Sequence, residues 1–195
     1  IKNWNVDHQI YPQQVVDNVS INVKKGEVVG IAGLIGAGRT ELAMSVFGRS
    51  YGRNINGELF YEGKKIELKT IQDAINHKIA YVTEDRKQFG LNLIDTIARN
   101  ITITKLDKIL TRGIIDEDIE IKETSVFKDS MGIKCSSIMQ HAGNLSGGNQ
   151  QKVVLSKWIF TEPEILILDE PTRGIDVGAK YEIYAIINQL VEAGK

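Results

Sequence analysis

The residues best suited to do chemistry are Gly33-Leu34-Ile35-Gly36-Ala37-Gly38-Arg39-Thr40. Glycines leave the peptide N–H groups open to a ligand, because no Cβ stands over them. The apolar run Val28 to Ala32 precedes this segment, and the helical pattern Thr40 to Phe47 follows it. A glycine-rich turn between a strand and a helix is where helix N-terminal N–H groups bind phosphate. Thr40 stands where a hydroxyl ligates Mg²⁺. Arg39 stands where such loops carry lysine; it keeps the charge, but its fork is bulkier and differently directed. A glycine-rich turn with no ligand would share the local pattern.

A second segment, Ile165-Leu166-Ile167-Leu168-Asp169-Glu170, reads as a buried strand with two carboxylates at its C-terminal end. Ligands of open α/β sheets bind at that edge. There Asp169 suits a Mg²⁺ partner acting through water, and Glu170 a base that polarises an attacking water. The bland alternative is a capped strand turning before Pro171. A third segment, Leu145-Ser146-Gly147-Gly148-Asn149-Gln150-Gln151, reads as a helix start with Ser146 as N-cap. Its two glycines leave N–H groups unobstructed, which again suits an anion.

The elements around these segments follow from periodicity. Val19, Ile21 and Val23 alternate with polar residues, as in a half-buried strand, and Lys24 to Glu27 reads as a turn. Val28 to Ala32 suits a strand buried on both faces. Glu58 to Tyr61 and Lys65 to Leu68 flank a hairpin turn at Glu62-Gly63-Lys64. Thr70 to Asn76 reads as a short helix and Ile79 to Val82 as a short strand. Asp116 to Met131 is a charged, amphipathic helical pattern, and Gln150 to Phe160 and Gly178 to Val191 are further helices. This gives an α/β core over 1–89 and 144–195 with a largely parallel sheet, an antiparallel portion near the N-terminus, and a helical subdomain inserted over 90–143.

Composition narrows the function. The 195 residues are 42% hydrophobic and 25% charged, as in a globular domain. With 24 Lys+Arg against 25 Asp+Glu the net charge is -1, which argues against a basic nucleic-acid reader or a polybasic membrane binder. No apolar run approaches the roughly 18–20 residues that span a bilayer. The single cysteine, Cys135, suits a reducing compartment. His8, His77 and His141 are scattered and suggest no metal centre. The start at Ile1-Lys2-Asn3 and the end at Glu192-Ala193-Gly194-Lys195 both read as cuts in a longer protein.

Taken together and in this order, the three segments resemble the nucleotide-binding domain of an ABC transporter. Gly33 to Thr40 resembles Walker A. Leu145 to Gln151 resembles the signature, with Asn149 in place of its glutamine. Ile165 to Glu170 resembles Walker B with its following glutamate, and Pro171 to Asp176 the D-loop region. With Thr83-Glu84-Asp85-Arg86-Lys87 and the run through Lys180, the set is similar to the second half of the tandem ATPase subunits of bacterial monosaccharide importers. The xylose and multiple-sugar members look most alike.

This resemblance implies a P-loop NTPase fold that binds ATP and Mg²⁺ and hydrolyses ATP to drive sugar import. It implies nucleotide contacts from Gly33, Gly36, Ala37, Gly38, Arg39, Thr40 and Glu41, and from Ser146, Gly147, Gly148 and Asp176. Glu170 would be the catalytic residue, and Thr40, Asp169 and Glu84 would face the metal. Tyr11, ahead of Trp4, is the candidate for stacking on adenine. The implied partners are the other half of the same chain, head to tail, then membrane permease subunits and, indirectly, an extracytoplasmic sugar-binding protein. No nucleic acid is implied, and the place is the cytoplasmic face of the bacterial membrane. The permease-facing candidates are Ile94, Ile97, Ile101 and Ile103, any of which could equally be core. The switch-loop histidine would lie beyond Lys195.

Two departures from the family pattern stand out. Arg39 replaces lysine, and Glu84 replaces a glutamine; a carboxylate there repels phosphate unless Mg²⁺ bridges it or Arg86 or Lys87 neutralises it. They suggest that this half's own site is slow while its signature completes a competent site on the partner. A regulatory nucleotide-binding domain that never hydrolyses, and a non-transport ABC ATPase, are the alternatives.

Overall fold

The computed structural model describes residues 1–195. The chain folds as two compact units. One comprises Ile1–Tyr81, Glu164–Asp169 and Val191–Lys195, the other Val82–Pro163 and Glu170–Leu190.

The first unit opens with strands β1 (Lys2–Asp7) and β2 (Gln14–Val19), followed by helix α1 (Arg39–Val46). Strands β3 (Arg53–Tyr61) and β4 (Lys64–Ile66) form the hairpin expected around Glu62-Gly63. These four strands make an antiparallel sheet in the order β2-β1-β3-β4. The buried indole of Trp4 joins this sheet to α1, its Nε1 donating to Ser45 Oγ at 3.0 Å. Helix α2 (Ile71–Asn76) starts at Thr70 with a full capping box: Thr70 accepts from the Asp73 N–H, and Asp73 accepts from the Thr70 N–H. Strand β5 (Ile79–Val82) is buried throughout.

The second unit is mainly helical. It contains α3 (Ile97–Thr102), a two-residue hairpin of β6 (Leu110–Thr111) and β7 (Ile114–Ile115), α4 (Glu117–Ser130) and α5 (Gly147–Ile159). Helix α4 begins at its N-cap Asp116, which accepts from the Ile119 N–H, and ends at Met131, as its sequence predicts. Ile97 and Ile101, one turn apart on α3, are fully buried, and Phe127 meets Phe160 edge-on at 5.8 Å. The chain then returns through β8 (Ile165–Leu168) to the first unit and continues into α6 (Val177–Glu192). Lys78 O accepts from both Glu164 N and Ile165 N, so β5 and β8 start at the same end and run parallel.

Several expectations need correction. Val28 to Ala32 forms no strand and is exposed, with Val28 at 64% and Ile31 at 50%. A strand needs a hydrogen-bonded neighbour, and none of the strands pairs with this run. The alternation at Val19, Ile21 and Val23 does not become a strand either: β2 ends at Val19, and beyond it Ile21 reaches back to the start of the chain, its N–H donating to Ile1 O at 3.1 Å and its carbonyl accepting from the Ile1 amino group at 2.9 Å. Strand β8 is half-buried and not buried, because β5 is its one neighbour.

Helix α5 is pinned to α6 by Lys152, whose nearly buried ammonium lies 2.6 Å from Glu182 Oε2 and donates to Gly132 O at 2.8 Å. The hydrogen bond from Lys152, and then its charge, hold the Glu182 carboxyl below its ordinary 4.5. A carboxyl depressed in the folded state stabilises the fold above its unfolded value and loses that contribution as pH falls through its folded one. Glu182→Gln is therefore expected to lower the unfolding free energy by about 1–2 kcal/mol at neutral pH, an amount limited by the exposure of Glu182. Urea titrations of both proteins should show the gap closing in acid.

Candidate functional site

The glycine loop 33–37 lies exposed in the first unit, with Leu34 and Ile35 at its tip (85% and 99% exposed). The Ala37 N–H donates to Leu34 O at 3.1 Å and closes the loop. Gly36 and Gly38 both take left-handed backbones (φ +80° and +81°), and Gly38 is the N-cap of α1. The loop thus delivers the chain into a helix whose first turn has no side-chain cap; Arg39, Thr40 and Glu41 form that turn. The Arg39 stem lies near Gly33, where a Cβ would come within 3.6 Å of its Cδ.

Thr40 Oγ1 donates to Asp169 Oδ2 at 2.7 Å, joining the loop to the end of β8 across 129 residues of chain. The hydroxyl of Tyr81, on β5, donates to the same oxygen at 3.1 Å. Asp169 is 8% exposed, so both donors matter to it. A threonine hydroxyl beside a carboxylate at a loop rich in N–H groups is a hard-oxygen set of the kind Mg²⁺ takes, in its usual place next to phosphate. The donor chemistry therefore fits the ion. Tyr81 was not legible as a site residue: in Ile-Ala-Tyr-Val it reads as one more buried strand side chain.

Tyr11 is 61% exposed, with its ring 4.9 Å from that of His8, whose Nδ1 accepts from the Ile10 and Tyr11 N–H groups. Trp4 is core and unavailable for stacking.

The second unit holds the other residues. Ser146 occupies the N-cap of α5, but its side chain does not cap: Oγ accepts from Asn149 Nδ2 at 2.9 Å. Asn149 Oδ1 accepts from the Lys134 N–H, so the residue that departs from the family's glutamine anchors the loop before the signature. The two glycines are needed for packing as well as for openness. A Cβ at Gly148 would lie 2.5 Å from Ala179 Cβ, and one at Gly147 would lie 2.9 Å from Arg86 Nη2. Asp176 Oδ1 accepts from the Ala179 N–H at 2.9 Å and caps the start of α6.

Glu170 follows Asp169 with a left-handed backbone (φ +43°), and its carbonyl accepts from the Arg173 N–H. Glu84 is neutralised, but by Arg173 rather than by Arg86 or Lys87. Arg86 instead donates to the carbonyls of Arg173 and Gly174. Of the four isoleucines considered for docking, Ile97 and Ile101 are core. Ile94 and Ile103 are exposed, and Ile103 lines a groove of about 390 Å³ with Phe89, Leu91, Asn92, Arg99 and Lys157. Burial pulls the Lys157 ammonium below its ordinary value, and Nζ donates to Gly90 O.

The ABC transporter family profile matches residues 16–173. The chain is 59% identical over 196 residues to the L-arabinose transport ATP-binding protein AraG of Geobacillus stearothermophilus, covering 100% of this chain and 38% of that protein. It is 51% identical over 195 residues to the xylose import ATP-binding protein XylG of Thermoanaerobacter pseudethanolicus, with the same coverage. Identity to the ribose import ATP-binding protein RbsA of Bacillus cereus is 45% over 178 residues, 91% of this chain and 36% of that one. The chain thus spans under two-fifths of the length of these relatives. Among solved structures, the ATP-binding cassette MJ0796 in a dimeric post-hydrolysis state with ADP and Pi superimposes with a TM-score of 0.79. That match covers 100% of this chain and 83% of that one at 23% identity, a likeness of fold. A second dimeric structure of that cassette gives 0.80 at 22% identity, with the same coverage.

Proposed function

The chain belongs to the ABC transporter family, and from that membership we propose that it is one nucleotide-binding half of an ATPase subunit that drives monosaccharide import. The names of its relatives favour the pentoses arabinose, xylose and ribose as the substrate class. One observation carries the reading: the Thr40–Asp169 hydrogen bond, which sets a phosphate loop against a buried carboxylate. The N–H groups of 33–41 receive the ATP phosphates, and the Arg39 guanidinium adds charge beside them. Thr40 and Asp169 hold Mg²⁺, which when bound neutralises charge on the phosphate oxygens. Glu170 takes a proton from the attacking water as oxygen bonds to the γ-phosphorus and the bond to the β-phosphate oxygen breaks, releasing ADP.

Ser146, Gly147 and Gly148 serve the nucleotide of the other half of the tandem chain, head to tail. The groove beside Ile103, with Ile94, receives a permease subunit at the cytoplasmic face of the membrane, and a sugar-binding protein acts through that permease. No helix is long and apolar enough to cross a membrane. Tyr11 is the adenine-stacking candidate, its exposed ring being free of the core.

Arg39 in place of lysine, and Glu84 committed to Arg173, support a slow site in this half. In steady-state ATPase assays of the full-length protein, Glu170→Gln should reduce turnover less than about tenfold. The matching change in the other half should cost about 10²–10⁴-fold, the usual loss of a general base. Equal losses would remove the asymmetry, and absence of ATP turnover in the assembled transporter would remove the ATPase itself. No effect at all from Glu170→Gln, with ATP still bound by this half, would favour the second reading, a regulatory half that binds without hydrolysing.

A further inference from the structure

In the second unit, the segment after β5 and the turn after β8 are tied together by contacts that nucleotide chemistry does not require. Arg86 Nη1 donates to Arg173 O at 2.8 Å, and Nη2 donates to Gly174 O at 3.1 Å. Two successive carbonyls aimed at one planar fork fix the path of the turn, a geometry a lysine ammonium does not reproduce. The side chain of Arg173 returns across the same gap to pair with Glu84, so the two segments are joined in both directions. That pair is partly exposed, at 61% and 31%, and contributes little by itself; the carbonyl contacts from Arg86 are the principal tie. Arg86 Nε is buried with no hydrogen-bond partner, a cost that goes with a guanidinium oriented by its two carbonyls.

The tie reaches the signature. Gly147 leaves room for Arg86 Nη2, and a Cβ there would also lie 3.3 Å from Gly174 O. Beyond the turn, Asp176 caps Ala179, and Ala179 packs where Gly148 has no side chain. Arg86, the 170–176 turn, the start of α6 and the start of α5 therefore form one continuous packed set.

We propose that Arg86 is a positioning residue, which fixes the 170–176 turn against Gly147 and so sets the surface that Ser146, Gly147 and Asp176 offer the nucleotide of the partner half. The Glu84–Arg173 pair adjusts the same joint. Glu84 thus acts in this chain as a structural counter-charge to Arg173. The functional part of this assignment rests on the reading above; the joint itself does not.

The test uses the full-length protein with Arg86→Lys, Arg86→Gln, Glu84→Arg, Arg173→Glu and the double exchange E84R/R173E. Amide hydrogen exchange over 172–178 is read beside kcat and KM for ATP. Both Arg86 variants should speed exchange there roughly tenfold, the scale of losing hydrogen bonds to a charged group, with the rest of the protein protected as before. They should lower kcat about tenfold at unchanged KM, because ATP bound by the partner half still meets its own phosphate loop. The double exchange should recover most of what either single charge reversal loses. Wild-type exchange over 172–178 in both Arg86 variants would overturn the joint. Faster exchange with unchanged kcat would overturn the positioning role. Should Arg86→Gln not fold, Arg86→Lys carries the same readouts. Faster exchange in a protein that turns over no ATP even as wild type would leave the joint standing and remove the proposed function.

Discussion

Gly38→Ala is expected to lower stability by about 3–5 kcal/mol and, with the other half's site disabled, to abolish nucleotide binding by this half, whereas Gly36→Ala should cost about 1–2 kcal/mol. Both glycines take left-handed backbones, so both alanines carry the conformational penalty of about 1–2 kcal/mol. The difference lies in the surroundings. A Cβ at Gly36 would meet nothing within 4 Å, while one at Gly38 would stand 2.3 Å from Val15 O. That oxygen belongs to the backbone of β2 and cannot swing aside as a side chain would, so β2 or the start of α1 must move. Moving α1 carries Thr40 away from Asp169 and re-aims the N–H groups that would meet phosphate. Urea unfolding and titration with a fluorescent ATP analogue measure the two effects, and equal losses in the two variants would show that packing at Gly38 is not the cause. The glycine that phosphate chemistry requires is thus also one that the fold requires.

What could be read from the sequence divides along local and tertiary lines. Helix α4 was legible to the residue because Asp116 and Met131 bound it locally, and so was the β3–β4 hairpin, with its Glu62-Gly63 turn. The fate of Val28 to Ala32 was not legible, because an apolar run states what a strand would bury and not whether a neighbour exists to pair with it. At the site, Thr40 and Asp169 could be matched from their positions after a loop and a strand. Tyr81 and Arg173 could not, since each acts through contacts with residues far away in sequence. Glu84 shows the difference most sharply: its charge is plain in the sequence, but its counter-charge is chosen by the turn that Arg86 holds.

Asp169→Ala and Asp169→Asn should separate what this carboxylate does for the fold from what it does for Mg²⁺. The alanine leaves two hydroxyls without their acceptor. Thr40 is half-buried and can turn toward water, while the hydrogen bond from Tyr81, itself 7% exposed, is lost from the interior, so a stability loss of about 1–3 kcal/mol is expected. Asparagine retains one acceptor oxygen for Thr40 and Tyr81 and should recover most of that loss. It carries no charge, however, and a neutral oxygen is a far weaker partner for a divalent cation than a carboxylate. In the full-length protein with the other half's site disabled, the gain in ATP affinity on adding Mg²⁺ should fall about 10–100-fold in both variants. Thr40→Ser, which keeps the hydroxyl, should preserve it. If Asp169→Asn folded and bound ATP with undiminished dependence on Mg²⁺, the carboxylate would be a structural acceptor for Thr40 and Tyr81 and the metal would be held elsewhere. The pair of variants discriminates because the same 2.7 Å hydrogen bond survives in one and is lost in the other, while the charge is lost in both.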